Sequence, residues 1–154
     1  MAQFLLITTL LTIAGLVVTI VGGLQAGTPT EVSRHIIFAL ATLLAGLFSQ
    51  SMTMFFFIGT GKEIKEKAED EEDRADIVRQ TKVFKARVFP AAFYSMVILG
   101  ITFILGGGVH RGQIPPWVHL VLSLLTLLMY LRAYWIELRA MMANAELMER
   151  LLKE

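Results

Sequence analysis

Four apolar runs, each long enough to cross a bilayer, constrain this chain more than any other feature. Roughly 20 apolar residues suffice for a spanning helix, and such runs occupy about residues 4–24, 35–58, 90–107 and 117–136. The stretch from His35 to Gly61 is the most informative because of its polar minority. His35, Ala39, Thr42, Gly46, Ser49 and Thr53 follow at alternating steps of four and three. That spacing keeps them on one helical face. Lipid rejects such a stripe, so it should face other helices or a cavity.

Composition agrees. Of 154 residues, 55% are hydrophobic, and the mean hydropathy of +0.63 is too high for an ordinary soluble domain of this length. With 14 basic and 13 acidic residues the net charge is +1, so no nucleic-acid partner is expected. The absence of cysteine excludes disulfides, thiolate metal sites, iron–sulfur clusters and Cys-linked haem.

In the first segment, Thr8, Thr12, Gly15, Thr19 and Gly22 repeat the four–three step and form a close-packing seam. No basic residue precedes this run and it exceeds a signal-peptide core, so a retained anchor is expected. Pro29 and Thr30 supply turn and cap signals before the second helix. Gly59 and Gly61 mark its end, or a loosening within a longer helix. Residues 61–89 are strongly charged, with Glu63–Lys67 and Asp70–Arg74 at i,i+4, a spacing that supports a helical hairpin outside the membrane. Its sparse apolar residues, Ile64, Ala68, Ile77, Phe84 and Val88, would rest on other helices.

Pro90 suits the first turn of the third helix, and Gly106 to Gly108 suit its end. Pro115 and Pro116 introduce the fourth helix, with Trp117 at one interface and Tyr130, Tyr134 and Trp135 near the other. Leu138, Met141, Ala145, Met148 and Leu152 continue an apolar seam, so a helical tail over 137–154 should project by about 25 Å. Eight Lys or Arg lie between the second and third segments and four in the last helix end and tail, against Arg34 and Arg111 on the other side. This bias places both termini in the cytoplasm of a bacterial-type inner membrane. The expected fold is one all-α integral membrane domain, an antiparallel four-helix transmembrane bundle with helical cytoplasmic extensions. It would sit in the lipid bilayer as a homo-oligomer or with other membrane subunits.

That orientation puts His35, His110 and His119 together at the outer edge. The fourth helix repeats the stripe of the second: His119, Ser123, Thr126, Tyr130, Ala133 and Glu137. A shift of 84 residues superposes Gly22 and Gly23 on Gly106 and Gly107, His35 on His119 and Thr42 on Thr126. Other identities at this shift are few and mostly leucine, so shared composition explains them as well as a duplicated hairpin does. Imidazole is the usual ligand for haem iron and borderline metals, and facing helices commonly build such sites. His35 and His119 are therefore candidate axial ligands of haem b, with Arg34 and Arg111 as partners for its propionates. A copper or zinc ion held by His35, His110 and His119, with Glu31 as a fourth ligand, is the alternative. The competing structural reading has the histidines capping helix ends or bonding to loop carbonyls.

Other polar groups point mainly to packing. Ser49, Gln50, Ser51 and Thr53 lie at a depth similar to Arg132 and Glu137. They are expected to make interhelical hydrogen bonds worth about 0.6 kcal/mol each, with Arg132 snorkelling to the surface; a path for an ion or quinone head group is the alternative. The acidic run Glu69 to Asp76 lacks the pattern of a calcium loop and reads as a solvated tip. The eight methionines do not pair and read as packing. No nucleophile–base motif, phosphate loop or dinucleotide fingerprint occurs, so catalysis is not expected. Three functional classes remain: a haem- or metal-binding redox or accessory subunit, a non-catalytic structural subunit, and a small channel or transporter lined by Ser and Thr. The Phe55–Phe57 band weighs against a pore through a single copy.

Overall fold

The computed structural model describes residues 1–69 and 71–153. Four helices account for nearly all of it: α1 (Ala2–Gln25), α2 (Pro29–Lys67), α3 (Arg74–His110) and α4 (Pro116–Lys153). All four are long and apolar enough to cross a membrane. Each helix packs on its neighbours in the ring α1–α2–α3–α4, while α2 and α4 also touch across the diagonal. Gly23 faces His35 and Gly15 faces Thr42 between α1 and α2, and Gly106 faces His119 between α3 and α4.

Three boundaries differ from the sequence expectation, each for a local reason. Helix α2 starts at Pro29 because Thr28 and Glu31 form a complete capping box, with proline pre-set for the first turn. It then passes through Gly59 and Gly61 to Lys67 without a break. Helix α3 begins at Arg74, so Pro90 lies inside it rather than in its first turn. Ile77, Thr81 and Val88 are buried along this earlier part, and their packing carries the helix through the lost backbone donor. Nor does α3 stop at the triple glycine. It continues to His110 and ends where Gly112 adopts a left-handed φ of 69°. There the Gly112 N–H donates to Val109 O at 2.9 Å and the Gln113 N–H donates to Gly108 O at 2.9 Å.

The hairpin and tail form one packed end. Ile64, Ala68, Ile77 and Leu147 make a buried cluster there, and Arg150 donates to Asp73 at 2.8 Å. The exposed i,i+4 pair is Lys62–Glu66 at 3.6 Å, one residue earlier than the expected Glu63–Lys67. The Asp70–Arg74 pairing lies outside the described residues, as do Asp70 within the acidic tip and Glu154 at the end of the tail. Arg79 pairs with Asp76, and Gln80 donates to the other carboxylate oxygen at 2.7 Å.

Apolar side chains cover the outside of the bundle as well as filling its core, and several polar ones lie within. Leu11, Ile37, Ile104 and Leu128 are each more than 60% exposed, whereas Thr9, Thr12, Ser49, Gln50, Thr53, Thr126 and Glu137 are at most 1% exposed. The polar stripes of α2 and α4 therefore do face inward. Tyr130 belongs with them rather than with an interfacial aromatic belt, because it is fully buried. Trp117 and Trp135 are exposed as expected, the latter under the Arg139 guanidinium at 4.5 Å. Arg132 is exposed.

Layers of opposite character stack along the bundle. From the histidine end, the Thr102–Thr126 hydroxyl pair at 2.8 Å is followed by apolar Ile13, Leu16 and Leu99 with the Tyr130 ring. Thr9, Ser49, Gln50, Thr53 and Glu137 come next, and then Leu5, Phe57, Val88, Ala140 and Met141. Closest approach is at Gly46, where an added Cβ would lie 2.6 Å from Leu99 Cδ2, 2.7 Å from the Tyr130 hydroxyl and 3.0 Å from Thr12 Cγ2. Three helices meet α2 at this one residue. Gly46→Ala should therefore lower the thermal midpoint in detergent, with a cost of about 1–3 kcal/mol for overpacking. Gly59→Ala, whose added methyl meets nothing within 4 Å, is the matched control and should leave the midpoint unchanged or higher.

Candidate functional site

Gly23 and Gly106 allow the two histidines to lie against the preceding helix. A Cβ at Gly23 would come 3.0 Å from His35 Cε1, and one at Gly106 would come 3.1 Å from His119 Cε1. Larger residues would displace the rings. The glycine seats correspond under the 84-residue shift to within one position, since Gly22 rather than Gly23 aligns with Gly106. Each hairpin thus presents an imidazole from its second helix over a glycine near the end of its first.

Those imidazoles converge. The His35 and His119 ring centroids are 6.4 Å apart in an edge-to-face arrangement with an interplanar angle of 86°. Both Nδ1 atoms are buried and lack a hydrogen-bond partner. The His119 ring bonds to the Thr102 backbone, as the structural reading expects of a carbonyl contact, while the two Nδ1 atoms are left over. The Nδ1–Cε1 edge of His35 lies against Gly22 and Gly23, and the Cε1 edge of His119 against Gly106.

His110, Arg34 and Arg111 are exposed. Arg34 shares with His35 a groove of ≈ 410 Å³ that Thr19, Gly22, Glu31 and Phe38 help to line. Among the described residues no three His, Cys, Asp or Glu side chains converge. Glu31 serves the cap: its Oε2 accepts from the Gly27 N–H at 2.9 Å and the Thr28 N–H at 2.8 Å. Those bonds, Gly27 first and Thr28 second, hold its carboxyl below the usual glutamate range. The signal for this cap is the Thr-x-x-Glu spacing of Thr28 and Glu31, rather than Pro29 and Thr30 alone.

A second polar centre lies further along the bundle. Glu137 follows His119 by 18 residues, about 27 Å along the helix. Its Oε2 accepts from Thr9 Oγ1 at 3.2 Å, and the same hydroxyl lies 3.0 Å from Ser49 Oγ. Glu137 Oε1, both polar atoms of the Gln50 amide, Thr53 Oγ1 and the Tyr130 hydroxyl are buried without partners. The sequence expected interhelical hydrogen bonds here, and only some of these groups make them.

Comparison with protein-family models, characterised proteins and solved structures finds no match, so the chemistry of both centres must be argued from their own geometry.

The Glu31 cap has a clear pH sign. Its folded pKa is depressed, so its contribution is fully present above the ordinary value of 4.5 and is lost as pH falls through the lowered one. Hydrogen-exchange protection at Gly27 and Thr28, whose N–H groups donate to the carboxylate, should hold at neutral pH and fall on acidification below that range. In Glu31→Ala it should be weak at every pH.

Proposed function

We propose that this chain is an integral membrane protein, an antiparallel four-helix transmembrane bundle with both termini in the cytoplasm, that binds a transition metal through His35 and His119 at its outer face. Four long helices with apolar outer surfaces support insertion, because an exposed apolar area on this scale is incompatible with a soluble monomer. The twelve-to-two distribution of Lys and Arg supports the orientation.

The observation that carries the metal reading is the juxtaposition of two imidazoles at 6.4 Å with both Nδ1 atoms buried and unpartnered. Haem b is the leading occupant: His35 and His119 would hold its iron, and Arg34, in the groove beside His35, would be available to a propionate. A copper or zinc ion would need a further ligand from solvent or a partner. The role that fits is a redox or accessory subunit in a homo-oligomer or a larger membrane complex. The bundle interior does not favour a single-copy channel, because apolar layers around Leu99 and Phe57 lie above and below the Glu137 cluster.

A visible spectrum and metal analysis of the full chain, purified from native membranes, test the proposal. A Soret band is expected, and His35→Ala and His119→Ala should each abolish it while His110→Ala retains it. Metal retained without a Soret band, and lost in the same two variants, would assign the pair to a free ion. A colourless, metal-free preparation under conditions that retain cofactors would overturn the metal reading.

A further inference from the structure

The cluster around Glu137 has a composition that packing alone does not explain. Three helices supply it: Thr9 from α1, Ser49, Gln50 and Thr53 from α2, and Tyr130 and Glu137 from α4. All six are fully buried. The glutamate is the only acidic residue among them, and no Lys, Arg or His forms an ion pair with it among the described residues. Arg132 and Arg139, the basic residues nearest it in sequence, are exposed, and Arg139 is stacked on Trp135. Apolar layers close the cluster on both sides along the bundle.

A carboxylate in such a place needs a compensating positive charge or a proton. Glu137 Oε1, Gln50 Oε1, Thr53 Oγ1 and the Tyr130 hydroxyl are buried oxygens without hydrogen-bond partners, and the Gln50 Nε2 donor is likewise unpartnered. Ser49 and Thr9 add hydroxyls already linked to one another and, through Thr9, to the other carboxylate oxygen. Hydroxyl and amide donors can bond to a protonated carboxyl, so a proton on Glu137 is the competing state that a Na⁺ titration separates. One carboxylate, one amide carbonyl and several hydroxyls supply the oxygen ligands that suit a hard cation. With a single negative charge, the set balances a monovalent ion; a divalent ion would leave net positive charge in the interior.

We infer that Glu137, Gln50, Thr53, Ser49 and Thr9 form an occluded site for a monovalent hard cation, Na⁺ being the first choice, between the apolar layers of the bundle. It is separate from the histidine pair by about 27 Å along α4 and involves different residues.

The test uses the full-length protein in detergent, with NaCl replacing choline chloride at constant ionic strength and pH 8. Wild-type protein should show a saturable rise in thermal midpoint of roughly 5 °C with Na⁺, as expected for a ligand that binds only the folded state. Thr53→Val and Gln50→Leu should need roughly tenfold more Na⁺ for the same rise, through loss of one oxygen ligand to a charge. Glu137→Gln should show no Na⁺ dependence. His35→Ala should retain the wild-type response, so failure of the metal proposal and failure of this one are distinguishable. A wild-type midpoint indifferent to Na⁺ would overturn the inference and assign the cluster to water and a protonated carboxyl. So would a Na⁺ response that survives unchanged in Glu137→Gln. If that variant does not fold, an unchanged response in both Thr53→Val and Gln50→Leu decides against the site.

Discussion

Everything in this bundle depends on how closely the helices approach at Gly46. Leu99, Tyr130 and Thr12 all occupy the space where a side chain would be, so α1, α3 and α4 are drawn against one turn of α2. In the proposed bilayer setting apolar burial gives little drive for helices to associate, and close van der Waals contact takes its place. Small residues near the axis are the means. They also determine what else fits: threonine and serine hydroxyls fill the remaining space and bond across helices, as in Thr102–Thr126 and Thr9–Ser49.

Much of this was legible in the sequence, for one physical reason. A stripe of small and polar residues at steps of four and three has one stable place in an otherwise apolar helix, its inner face. The inward positions of Thr42, Gly46, Ser49, Thr53, Thr126 and Glu137 therefore followed from spacing. The convergence of His35 and His119 followed from the same logic applied to two helices. Boundaries were less legible where local chemistry is overridden. Pro90 resembles a helix start by itself, but burial of Ile77, Thr81 and Val88 outweighs that signal. Three consecutive glycines resemble a stop, yet Ile114 folds back against Gly108 and the left-handed residue is Gly112.

The importance of the Glu137 cluster was the least legible feature. Interhelical hydrogen bonding was the natural expectation for Ser49, Gln50 and Thr53. Spacing shows that polar groups share a face, but not whether their atoms can reach one another. Only the coordinates reveal that the Gln50 amide and Thr53 hydroxyl are buried without hydrogen-bond partners in an interior that also holds the Glu137 carboxyl. Tyr130 was similarly ambiguous, since its position suits either an interfacial ring or the inner stripe, and its contact with Gly46 decides the matter.

The glycine seats bear on the order in which the molecule is assembled. His35 meets Gly23 and His119 meets Gly106 within single hairpins, across only 12 and 13 residues of chain. Each ring can therefore be positioned as soon as its own pair of helices has formed. The meeting of the two rings is different, because it joins residues 84 apart and requires one hairpin to dock on the other. A half-made protein would hold each histidine correctly and still have no two-imidazole centre. Completion of that centre is thus a chemical record that the final docking step of biogenesis has taken place.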